Sequence, residues 1–150
     1  MDAVIQVVVD VNAAENELYG TMSVKNLGKV PVYVDVRYIP QGKYLSSDPL
    51  HVVCDGKNIR FSGSRYNLGR GEYYKIEPGE SEVSGNVELA RNYLIPPGNH
   101  NCNFYMNVWA TTDPVVINDD RAADFFETRS NVFNLEVNNS HYEKVYNENH

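Results

Sequence analysis

Four histidines, His51, His100, His141 and His150, are the side chains of this chain best suited to metal or proton chemistry. A zinc peptidase would need two of them one helical turn apart with a glutamate beside the first, H-E-x-x-H, and no pair has that spacing. His100 stands two residues before Cys102, on the same face of a strand, but no third or fourth ligand lies within sequence reach. No G-x-S-x-G elbow offers a serine nucleophile. No glycine-rich turn opens a helix to cradle a phosphate, since the glycines at 63–71 lie between strands. The adjacent carboxylates Asp119-Asp120 and the pair Glu80/Glu82 read as solvated side chains rather than a glycosidase pair. Asp119, Asp120 and Asp124 lack calcium-loop spacing and suit the first turn of a helix. The expectation is a protein without catalytic machinery, metal or cofactor.

Recognition chemistry is better represented. The chain has eleven tyrosines, and Tyr33, Tyr38, Tyr44, Tyr66, Tyr73 and Tyr74 fall between residues 33 and 74, overlapping a local excess of cations. Residues 41–75 hold Lys43, Lys57, Arg60, Arg65, Arg70 and Lys75 against Asp48, Asp55 and Glu72. Tyrosine and arginine together supply rigid area and planar hydrogen bonding, the usual substance of contact surfaces. The glycine-rich segment 62–72 reads as a long surface loop. Arg65, Tyr66, Asn67, Leu68 and Arg70, with Tyr73 just beyond, form its candidate binding set. Tyrosine also suits strands for their own sake, and a basic stretch also suits a merely exposed loop.

The elements that position these residues are strands. Met22 and Val24 alternate with polar residues, Asn26 to Lys29 turn the chain, and Val32, Val34 and Val36 alternate again. Asp55-Gly56-Lys57 marks a hairpin and Pro78-Gly79 a second turn. Strands are expected at 3–11, 18–26, 31–39, 50–54, 58–61, 73–77, 81–89, 100–111 and 131–138. The inward set is Met22, Val24, Val32, Val34, Val36, Val83, Val87, Leu89, Cys102, Phe104, Met106, Val108, Phe133, Leu135 and Val137. Such alternation buries one face of each strand and wets the other, which is the pattern of an antiparallel sandwich. The fold class is therefore all-β, an immunoglobulin-like antiparallel β-sandwich of about seven to nine strands. A short helix is expected near 119–128, capped by Asn118 or Asp119. Residues 1–138 make the sandwich and 139–150 a polar C-terminal tail.

Composition bounds the rest. A chain of 150 residues that is 42% hydrophobic and 22% charged suits one soluble globular domain. A net charge of −7 opposes general nucleic-acid binding. No apolar run approaches the roughly 20 residues of a membrane-spanning helix. Residues 3–11 read as a first strand and not as a signal peptide. A cytosolic protein, if Met1 is the native start, and an exported one whose signal was removed both fit. Cys54 and Cys102 are either two buried free thiols or one disulfide joining two strands, which would favour an oxidising compartment. Asn138-Asn139-Ser140 is formally a glycosylation triplet.

Several segments in succession resemble a known family. They are K-N-L-G-K-V-P-V-Y-V (25–34), L-S-S-D-P-L-H-V-V-C-D-G-K-N-I-R-F-S-G (45–63), E-Y-Y-K-I-E-P-G-E-S (72–81), P-P-G (96–98) and S-N-V-F-N-L-E-V (130–137). In order and spacing they resemble the immunoglobulin-like, non-catalytic domain of bacterial peptidyl-Lys metalloendopeptidases of the deuterolysin type, over about 120 residues. The zinc-peptidase part of that family has no counterpart here, nor do its catalytic residues, and the two cysteines and the tyrosine-rich loop depart from its pattern. The resemblance implies secretion or a periplasmic location and a free-standing partner of a protease: an inhibitor or propeptide-like domain acting on another protein. Two other functions fit the residues. One is a structural, self-assembling subunit pairing through strand 3–11. The other is a carbohydrate-binding module, with tyrosines and Trp109 stacking on sugars.

Overall fold

A computed structural model describes residues 4–14, 17–41, 48–62, 72–90, 92–114 and 124–138. Eleven strands carry the described chain: β1 (Ile5–Ala14), β2 (Glu17–Asn26), β3 (Val32–Asp35), β4 (Leu50–Cys54), β5 (Lys57–Asn58), β6 (Tyr73–Ile76), β7 (Ser81–Val83), β8 (Val87–Glu88), β9 (Asn99–Thr111), β10 (Phe126–Arg129) and β11 (Phe133–Asn138). All pairings are antiparallel. The smaller sheet runs β1-β2-β7, with β8 also on β2. The larger runs β5-β4-β9-β3-β6, with β10 and β11 also on β9. This is an immunoglobulin-like division of strands, with the β4–β5 hairpin inserted between β3 and β6. No described helix is long and apolar enough to cross a membrane.

Period-two alternation produces both sheets. In β9, Cys102, Phe104, Met106, Val108 and Ala110 are fully buried, while Asn101 just before them and Trp109 among them are exposed. Ile5, Val7, Val9 and Val11 of β1 face them from the other sheet, in one core with Leu18, Met22 and Val24. Asp55 (φ 51°) and Gly56 (φ 80°) both adopt positive φ in the β4–β5 hairpin. That is the backbone of a type I′ turn, whose twist matches the strands it joins. At Pro78-Gly79 the amide of Glu80 donates to the carbonyl of Glu77 (2.9 Å) and Gly79 has φ 82°, as a type II turn requires.

Where strands break, serines complete the ladder. The segment 81–89, expected as one strand, divides into β7 and β8 at Ser84. Ser84 donates its amide to the Met22 carbonyl (2.8 Å), and its hydroxyl accepts from the Met22 amide (2.9 Å). Ser130 serves Met106 in the same way between β10 and β11, at 2.8 and 2.9 Å. Each hydroxyl replaces a carbonyl that the bent strand cannot supply, so neither methionine amide is orphaned. Asn131, beside Ser130, reaches the edge of β1. Its side-chain carbonyl accepts from the Val9 amide (2.8 Å), and its side-chain amide donates to the Val9 carbonyl (2.9 Å).

Three expectations are corrected. Phe126–Thr128 belong to β10, paired with Ala110–Val108, so the end of the segment expected to be helical is extended. The remainder of that segment before Asp124, with its caps, lies outside the described residues. The only complete helical turn described is a 3-10 turn at Val36–Tyr38, opened by Asp35, whose carboxylate accepts from the Arg37 amide. It removes Val36 from the strand and leaves it half-buried. Val83, expected inside, is 54% exposed because it sits opposite Ser23 on the outer face of the smaller sheet, while Ser84 turns inward to Met22. The tail 139–150 also lies outside the described residues.

The fully buried Asn26 side chain makes three hydrogen bonds. Its amide donates to the carbonyls of Val30 (2.8 Å) and Ile76 (2.9 Å), and its side-chain oxygen accepts from Gly28 (2.8 Å). Its backbone bonds Glu80 and Gly79. It therefore locks the turn after β2 to the β6–β7 turn, across the two sheets. Asn26→Ala strands three polar partners in a fully buried site and should cost about 3 kcal/mol or more in denaturant unfolding. Asn134→Ala, which breaks an exposed amide cluster, should cost under about 1 kcal/mol. Equal losses would contradict the assignment.

Candidate functional site: the outer face of the larger sheet

The residues of β9 that alternation turns away from the core form a row: Asn101, Asn103, Tyr105, Asn107 and Trp109. Register supplies their neighbours. His51 on β4 lies opposite Tyr105, Asn134 on β11 opposite Asn103, and Arg129 and Glu127 on β10 opposite Asn107 and Trp109. The His51 and Tyr105 rings stack at 4.8 Å with an 11° interplanar angle. The Arg129 guanidinium lies over the Tyr105 ring at 4.7 Å and donates through Nε to Asn107 (3.2 Å). Tyr105 is thus held by a ring and a cation, a contact worth about 0.5–1 kcal/mol at an exposed site.

On one side of this cluster, Asn134 Nδ2 donates to the side-chain oxygens of Asn101 and Asn103, both at 2.8 Å. On the other side the Trp109 side of the sheet begins, and Trp109 is 48% exposed. Tyr38 is half-buried nearby and bonded to the Trp109 backbone; burial is the largest influence on its phenol and pushes it up. The face is therefore aromatic at one end, amide-rich at the other, and fixed between them by side-chain bonds.

Tyr73, of the expected binding set, opens β6 opposite Asp35 and is half-buried. Register puts it on the same side of the sheet as Trp109, through Tyr33, which pairs with both Thr111 and Lys75. Arg65, Tyr66, Asn67, Leu68 and Arg70 lie outside the described residues. The inward spacing of Cys102, Phe104, Met106 and Val108 implies that Asn101, Asn103 and Asn107 point outward, but it does not reveal the His51–Tyr105–Arg129 stack. Its signal was the odd-numbered series on β9, and its partners come from strands 24 to 54 residues away in the chain, a pairing that periodicity does not reveal.

Cys54 and Cys102 are bonded to each other. They are direct cross-strand partners on β4 and β9, so the bridge lies within the larger sheet. Beside it, His100 and Asp55 form a pair. His100 Nδ1 meets Asp55 Oδ2 at 2.6 Å, His100 Nε2 meets the Pro97 carbonyl at 2.9 Å, and the Asn101 amide donates to Asp55 Oδ1 (3.0 Å). Both imidazole nitrogens face acceptors, so the protonated ring satisfies both at once. The Asp55 bond, and after it the Pro97 carbonyl, hold His100 above its ordinary value. The Asn101 amide, and then His100, hold Asp55 below the usual carboxylate range. In this geometry the ring clamps the hairpin to β9. Among the described residues, no three metal-ligating side chains converge.

Compared with known proteins, the chain matches no family model and no curated protein.

The His100–Asp55 clamp predicts a pH signature. A raised histidine contributes fully below its unfolded value, about 6.5, and loses that contribution as pH rises through the folded value. A lowered aspartate contributes above its unfolded value, about 3.9, and loses it as pH falls through the folded value. The melting temperature of the wild type should therefore exceed that of His100→Gln most between about pH 4 and 6.5, and the gap should narrow at alkaline pH. Parallel melting curves across that range would contradict the clamp.

Proposed function

We propose that this chain is a non-catalytic protein-binding β-sandwich whose contact surface is the outer face of β9, extending toward Tyr73, with the candidate residues Arg65, Tyr66, Asn67, Leu68 and Arg70 as further contacts. The observation that carries this reading is the Trp109 indole, half-exposed on the same face of β9 as a Tyr105 already immobilised by His51 and Arg129. Aromatic and arginine side chains fixed before binding lose little entropy on contact and are the usual anchors of interfaces. The disulfide favours an oxidising compartment. The family resemblance supplies the partner class, a secreted protease held by an inhibitor or propeptide-like domain, and fold analogy alone carries that step.

Self-assembly through β1 is less well supported. An incoming strand would need the Val9 amide and carbonyl, and Asn131 already occupies both. Glycan binding is the second reading. It is favoured by an exposed indole on the same face as the planar amides of Asn103, Asn107 and Asn134, since sugars are gripped by ring stacking and bidentate amides.

The test is a panel of zinc, serine and cysteine endopeptidases, assayed for inhibition and for complex formation. A zinc endopeptidase should be bound at micromolar concentration or below. Trp109→Ala should weaken that by at least about tenfold without lowering the melting temperature. Silence against the whole panel, with a Trp109-dependent signal on a glycan array, would replace the protein partner with a sugar. Silence on both would overturn the reading.

A further inference from the structure

A second concave site lies at the other end of the larger sheet, away from Trp109. A cavity of about 400 Å³ opens between the β4–β5 hairpin and the segment leading into β9. Its size falls within the range of small-molecule sites, about 300–1,000 Å³. Ile59, Leu94 and Pro96 supply its apolar wall, and Lys57, Arg60 and His100 its cationic groups.

The charges are not symmetric. Asp55 also lines the cavity, but its two oxygens are taken by His100 and by the Asn101 amide. Asp55 is the one carboxylate of the lining, against Lys57 and Arg60. Lys57 and Arg60 are both exposed, and neither makes a side-chain ion pair with any described residue. The cavity therefore carries uncompensated positive charge within a chain of net charge −7. Exposed cations without an ion-pair partner at the mouth of an apolar recess are available to an incoming anion.

The walls are held in place by bonds that need no ligand. The Ile59 amide donates to the Val52 carbonyl (2.8 Å), and the Leu94 amide to the Arg60 carbonyl (3.0 Å). The disulfide fixes β4 to β9 beside them. The recess is therefore preformed.

We propose that this cavity binds a small amphipathic carboxylate, its apolar tail against Ile59, Leu94 and Pro96 and its carboxylate between Lys57 and Arg60. Arg60 can take a carboxylate through two parallel N–H bonds, and Lys57 adds a point charge. The apolar wall selects a ligand with a tail, and the cations select one that is ionised. The site is independent of the Trp109 face.

Amide NMR with three probes separates these contributions. Octanoate carries tail and charge, octanamide the tail alone, and acetate the charge alone. Octanoate should shift the amides of Asn58–Arg60 and Leu94 and bind at least about tenfold more tightly than either control. The double variant Lys57→Ala/Arg60→Ala removes two exposed side chains and leaves the apolar wall intact. It should weaken octanoate by about tenfold or more, and 1 M NaCl should weaken the wild type similarly. Octanamide binding as well as octanoate, shifts confined to other regions, or an unaffected double variant would overturn the proposal.

Discussion

The alternation of β9 governs this molecule. Thirteen residues of one strand pair with β4 and β11 over their first part and with β3 and β10 over their last. From Cys102 to Ala110 its even-numbered residues fill the core, and the odd-numbered residues from Asn101 to Trp109 make the outer face. A strand shared by four neighbours cannot slip by one residue without exchanging those faces. Phe104 and Met106 would go to water, and Asn103 and Tyr105 to the core. The burial that fixes the register also fixes which side chains are displayed, and the Tyr105 stack follows from that register.

Polar devices keep so long a strand from leaving unsatisfied backbone. Ser84 and Ser130 each stand where an edge segment bends, and each gives a methionine amide a hydroxyl acceptor. Asn131 closes β1 at Val9, and Asn26 joins two turns on either side of the sandwich. Short polar side chains imitate backbone in all four cases. The sandwich can therefore carry breaks and inserts, including the β4–β5 hairpin that brings Cys54 and Asp55 to β9.

Much of this was legible in the sequence. Valines at period two, Asp55-Gly56 and Pro78-Gly79 carry their own geometry, and the strands they predict lie within a few residues of those observed. Local rules fail where tertiary pairing decides. Val83 has the spacing of a core residue, yet pairing with Ser23 turns it outward, because the hydroxyl of Ser84 was needed at Met22. Phe126–Thr128 read as the end of a helix until β9 offered a strand partner. The site follows the same logic. Trp109 and the asparagines could be placed outward from sequence, but His51 and Arg129 come from elsewhere in the chain and meet at Tyr105 only once three strands are in register. The His100–Asp55 clamp was hidden for the same reason, since β4 had first to be laid against β9.

The account therefore rests on β9 as the element that every other part of the larger sheet requires. Native-state hydrogen exchange measures that dependence directly. The amides of Cys102–Val108 should exchange only through global unfolding, with the denaturant dependence of the whole molecule. Exchange of those amides through a local opening of lower free energy, while β1 and β2 stay protected, would contradict it.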